Sequence, residues 1–154
     1  YNAENDVLIT KIKYQDKNKL VCMYNDKIHM IIDEQDEVLE DLEKNKISFA
    51  DIKASNSLVK CVEKNQSVFK TNSQISIINL NTKKESIYML EGIPKNLYTY
   101  DNTIALNLGS EVHFINSNGW LIKKYVSNQE ITDIVLGSNI AGIIYRDKIE
   151  IIIL

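Results

Sequence analysis

Short apolar runs, each closed by polar turn residues, recur along the whole chain. They fall at 7–14, 19–24 and 27–32, with a vaguer piece near 37–43. They continue at 46–53, 57–63, 74–80 and 84–90, then at 95–100, 103–108, 111–116 and 120–126. The last are 130–136, 139–145 and 148–154. Runs of this length bounded by turn residues predict β-strands. A helix competes only around 34–44. Asn118-Gly119 predicts a two-residue hairpin, because both residue types tolerate positive φ. Asn25-Asp26, Gly109-Ser110 and Arg146-Asp147 punctuate further joints, as do Ser55-Asn56, Asp101-Asn102 and Ser138-Asn139.

The runs repeat. NKLVCMYNDKIHMII (Asn18 to Ile32) meets NIAGIIYRDKIEIII (Asn139 to Ile153) with Asn18, Tyr24, Asp26, Lys27, Ile28, Ile31 and Ile32 matched by identical residues. It also meets NTIALNLGSEVHFIN (Asn102 to Asn116), and its start recurs at Asn56. There the continuation QISIINL is delayed by a polar stretch, Glu63 to Ser73, which reads as a loop. Removing that insertion leaves a unit of about 37 residues. Four units result, at about 7–45, 46–92, 93–129 and 130–154, within a single segment. The repeated Asn fits a structural role, since its side chain caps turns and its backbone accepts a left-handed conformation.

Four short antiparallel strands per unit predict an all-β, β-propeller-like chain of about four blades, with three to four strands each. Strands apolar on both faces, such as 149–154, suit blades that pack against a neighbour on each side better than a two-layer sandwich. Closure is open. The fourth unit has three strands, and the chain starts at Tyr1 rather than Met, which points to a fragment. A missing N-terminal half, a second copy completing a larger ring, and a tight four-blade ring are the three expectations, in that order.

Composition changes this picture little. Ile, Asn and Lys are abundant while Ala and Gly are scarce, which favours strands over helices. The net charge of −3 gives no general attraction to nucleic acid or to an anionic membrane. No run reaches the length of a membrane-spanning helix. Cys22 and Cys61 lie in apolar runs and read as small buried hydrophobes.

VHFINSNGWLIKKY (Val112 to Tyr125) and ISIINLNTKKESIYML (Ile75 to Leu90) resemble the third-strand, turn, fourth-strand part of WD40-like and quinoprotein-like propeller repeats. The closing stretch from Gly119 is similar to the C-terminal part of an uncharacterised propeller family of low-G+C anaerobic bacteria. That resemblance implies a membrane anchor outside this chain and a propeller on the extracytoplasmic side. It implies no catalytic residue.

Chemistry is sparse. His29, His113 and Glu150 share one repeat position, with Ser76 at the same place in the second unit. Equivalent positions surround one axis, which makes these three the candidate binding residues. They lack metal-ligand spacing, and no metal or cofactor is expected. Asp33, Glu34, Asp36, Glu37, Glu40, Asp41 and Glu43 form an acidic run that reads as a solvated loop and outer strand, or as a docking patch for a basic partner. No nucleophile elbow, phosphate loop or basic cluster is present. The expected function is a non-enzymatic module for protein interaction or scaffolding. Its partner is another protein, the missing half of the same chain, or a second copy in a homodimer. A small-ligand or glycan sensor and a metal-assisted propeller hydrolase or lyase are the alternatives.

Overall fold

The computed structural model describes residues 9–16, 19–24, 27–41, 47–53, 57–67 and 70–154, and every regular element among them is a β-strand. The chain divides into two compact units, Tyr1–Ser48 and Phe49–Leu154. The first holds sheet 1, built from β1 (Ile9–Asp16), β2 (Lys19–Tyr24), β3 (Lys27–Ile32) and β4 (Gln35–Asp41), neighbours in chain order.

β5 (Ile47–Lys53) crosses the division and opens sheet 2, which continues with β6 (Ser57–Ser67), β7 (Lys70–Asn79) and β8 (Glu85–Glu91). Sheet 3 comprises β9 (Asn96–Tyr100), β10 (Thr103–Asn107), β11 (Glu111–Asn116) and β12 (Leu121–Val126). Sheet 4 has three strands, β13 (Asp133–Gly137), β14 (Ile140–Ile144) and β15 (Ile149–Ile153). All four are antiparallel meanders, so the all-β, propeller-like reading of the sequence holds.

The two-residue period of a strand decides which core each side chain joins. Ile104 and Leu106 of β10 and Ile115 of β11 pack with Val59, Cys61, Ile75, Ile77 and Leu90 between sheets 2 and 3. Ala105, Val112 and Phe114 point the other way, into a second core with Ile131, Ile134, Ala141 and Ile143 of sheet 4. Sheet 3 is thus buried on both faces, and this is why β10 and β11 read as nearly unbroken apolar runs. Cys22 and Cys61 are buried and not in a disulfide. Burial pushes the Cys22 thiol up, and Asp36 adds to that.

Two expectations change, and the choice between strand and helix in the acidic run is decided. The polar stretch 63–73 is paired rather than a loop: β6 and β7 continue through Glu63↔Ser73, Lys64↔Asn72 and Asn65↔Thr71. Strand pairing uses backbone groups, so polar side chains do not stop it. The vaguer piece near 37–43 is a strand where described, β4 spanning Gln35–Asp41, and the helix that competed there does not form. The Asn118-Gly119 turn is longer than two residues. Gly119 alone takes positive φ, at 77°, and its N–H bonds the Asn116 carbonyl while Asn116 N–H bonds the Trp120 carbonyl. This is a type I turn followed by a glycine bulge. A separate register shift follows in the ladder between Phe114 and Ile115, which pair with Lys123 and Leu121 and leave Ile122 without a partner.

The repeated asparagines do both structural jobs expected of them. Asn139 adopts φ 57°, whereas Asn102 accepts from Ser117 N–H and from its hydroxyl. Asn18, Asn25-Asp26 and Ser55-Asn56 lie outside the described residues. No helix among the described residues is long and apolar enough to cross a membrane.

Candidate functional site

The shared repeat position sits on the third strand of its sheet. In sheet 3 that strand is β11, where Glu111, His113 and Ile115 face sheet 2. His113 Nδ1 lies 2.7 Å from the Tyr88 hydroxyl of β8, with the two rings edge to face. His113 Nε2 bonds the Glu111 carboxylate, and Lys124 Nζ lies 2.6 Å from the same carboxylate. A carboxylate only accepts, so Nε2 carries a proton and donates it to Glu111. The Lys124 hydrogen bond holds Glu111 below the usual carboxylate range, with His113 adding to it. Burial raises the Tyr88 phenol. Beside this cluster lies an open groove of about 530 Å³, lined by Met89, Glu91, Ser110, Glu111, His113 and Lys124 among others.

Glu150 occupies the same position on β15, facing sheet 3. It accepts from the Tyr125 hydroxyl of β12 at 2.5 Å and from Lys148 Nζ at 2.5 Å. The Tyr125 oxygen in turn accepts from Tyr145 O–H at 2.7 Å, and Lys148 stands 5.0 Å over the Tyr145 ring. Lys148, then Tyr125, holds Glu150 below its ordinary value. Burial, then Glu150, pushes the Tyr125 phenol well up. A groove of about 390 Å³ opens here too, lined by Tyr125, Gln129, Lys148 and Glu150 among others.

His113 and Glu150 therefore stand at two successive sheet junctions, each held by a tyrosine from the preceding sheet. His29, in the first unit, bonds Asp36 at 2.9 Å and meets the Tyr24 ring edge to face. No group of three or more His, Cys, Asp or Glu that could hold a metal forms among the described residues. In the acidic run, Asp33 and Glu34 make a tight turn at φ 48° and 68°, and Asp36 and Glu37 are exposed on β4. Asp41 faces Lys27 in the ladder. Glu40 belongs to β4, its side chain outside the described ones, and Glu43 lies outside the described residues.

Sequence reasoning missed the tyrosines and the paired charges. The signal was present. The shift of 37 that carries His113 to Glu150 also carries Tyr88 to Tyr125 and Glu111 to Lys148. The backbone follows it as well. Lys95 N–H to the Asn107 carbonyl recurs as Thr132 N–H to the Ile144 carbonyl.

Sheet 4 carries a second candidate surface. On the face turned from sheet 3, the cross-strand rows are Asp133, Ile144, Ile149; Val135, Gly142, Ile151; and Gly137, Ile140, Ile153. Val135, Ile140, Ile149, Ile151 and Ile153 are 46–76% exposed. Shifted back by 37, the same rows in sheet 3 are Asn96, Asn107, Val112; Tyr98, Ala105, Phe114; and Tyr100, Thr103, Asn116. That face is covered by sheet 4, and it is the more polar of the two.

The family of unknown function DUF5711 matches residues 1–154. No curated protein matches the chain. Among solved structures it is similar to Hsv2 of Kluyvelomyces marxianus, a β-propeller, at 11% identity and a TM-score of 0.60, over 95% of this chain and 48% of that one. It is also similar to the AfRom2 CNH domain at 12% identity and a TM-score of 0.40, over 93% of this chain and 66% of that one. The chain thus spans about half the length of the first. The Hsv2 likeness shows the fold.

Proposed function

We propose that this chain, which belongs to the family of unknown function DUF5711 along residues 1–154, is a non-enzymatic propeller module that binds another protein. Its setting in this reading is a protein of a low-G+C anaerobic bacterium, held at the extracytoplasmic side of the membrane by an anchor outside these residues. One observation carries the interaction: the exposed face of sheet 4 is more apolar than its covered counterpart in sheet 3. A contiguous apolar face of this kind marks a protein contact. The charged side chains at the two junctions support the non-enzymatic part, because His113 and Glu150 each bond a tyrosine of the preceding sheet while Glu111 and Lys148 bond them within their own sheet.

The test is a photo-crosslinking amino acid placed at the Ile151 position in cells making the full chain. Protein adducts from this site, and none from the Glu150 position on the opposite face, are the expected result. Adducts from neither site overturn the reading. A small-ligand sensor is the second reading, favoured by the groove beside Glu111, His113 and Lys124.

A further inference from the structure

We propose that the open face of sheet 4 is closed by the same face of a second copy of this chain, the two sheets packed face to face about a two-fold axis. This rests on the interaction reading above and names its partner.

Across its cross-strand rows the face carries six aliphatic side chains, two glycines and one charge, Asp133, at a corner. A charged partner would lose hydration against it without finding a counterion. The matching surface must be equally uncharged, and this chain carries one.

A two-fold contact uses one patch twice, so the patch must contain both projections and a hollow to receive them. Gly142 stands in the middle row between Val135 and Ile151. A Cβ there would lie 3.8 Å from Ile149 Cγ2 and 4.0 Å from Val135 Cβ, so the glycine floors a notch walled by the aliphatics beside it. Ile149, Ile151 and Ile153 project from one strand next to that notch, each at least 65% exposed. Sheets carrying such faces pack about 10 Å apart with their side chains interleaved.

The experiment is light scattering on the full chain over a wide dilution series, with Ile151→Lys as the variant. Ile151 is 76% exposed, so its substitution should leave the far-ultraviolet circular dichroism of the folded chain unchanged. The expected result is a dimer that dissociates on dilution and a folded Ile151→Lys monomer. A wild-type chain that is monomeric at every concentration overturns the proposal, as does a dimer that survives Ile151→Lys. The crosslinking at the Ile151 position separates the two levels. Adducts of twice the chain mass support the second copy. Adducts only to a different protein overturn the second copy and leave the interaction reading standing, and no adducts at all remove both.

Discussion

The junction between sheets 2 and 3 and the junction between sheets 3 and 4 are the same structure with the charges exchanged. At the first, an acid (Glu111) supports a histidine (His113); at the second, a base (Lys148) supports an acid (Glu150). The constant member is a tyrosine hydroxyl on the fourth strand of the preceding sheet. A phenol both donates and accepts, so it serves a ring nitrogen or a carboxylate equally well. The residue two places before the shared position then balances whatever the tyrosine meets. The repeat has kept a hydrogen-bonding function here rather than a residue identity, and this is why sequence identity alone did not point to it.

The strongest way to break the comparison is through the cores. Phe114 and Ile115 are adjacent, fully buried and turned to opposite junctions. Phe114→Ala should cost about 3–5 kcal/mol and Ile115→Ala about 2–5 kcal/mol. Amide hydrogen exchange tells them apart. Phe114→Ala should deprotect β13–β15 first, and Ile115→Ala should deprotect β6–β8 first. Equal loss at both junctions would mean that sheet 3 couples them into one cooperative unit.

A smaller effect comes from the hydroxyls. Tyr88→Phe and Tyr125→Phe each remove a bridge at about 1 kcal/mol per hydrogen bond. Tyr125 makes two such bonds, to Glu150 and Tyr145, against one from Tyr88 to His113. Urea unfolding should therefore show the larger loss for Tyr125→Phe. The reverse order would mean that the His113 network is the tighter latch.

The smallest effect is on pH dependence. Glu111 and Glu150 both titrate below their ordinary value of 4.5. The folded chain takes up these protons less readily than the unfolded one, so their contribution is present above pH 4.5 and lost as pH falls through the lowered values. Tyr88, Tyr98 and Tyr125 titrate above 10.0, so their contribution is complete below that pH and lost as pH rises through the raised values. Melting curves across pH should show Tyr125→Phe flattening the alkaline limb and leaving part of the acid limb in place. An unchanged alkaline limb would sink the assignment.

Much of the fold was legible because Ile and Val fill the strands while Asn, Asp and Gly close them. The acidic β4 was read only vaguely, since Asp36, Glu37 and Glu40 hide the apolar alternation that marks a strand. The stretch 63–73 was read as a loop because side-chain polarity was taken to end a strand, whereas the ladder of Glu63, Lys64 and Asn65 is held by backbone bonds. The position of His113 and Glu150 was legible from the repeat. Their tyrosines were not, because contact between sheets depends on a register that only the packed strands supply. Nothing in the acidic pattern announced that Asp36 would reach back to His29.

The 37-residue interval has one more consequence. Core side chains, backbone bonds and junction hydroxyls all advance by the same step between the third and fourth units, so a single blade is a unit of inheritance as well as of packing. Excising residues 89–125 would set Tyr88 in the place of Tyr125, directly before Val126 and opposite Glu150. A gene carrying this frame can shorten or lengthen by one copy through unequal recombination and still encode a matched seam at the join.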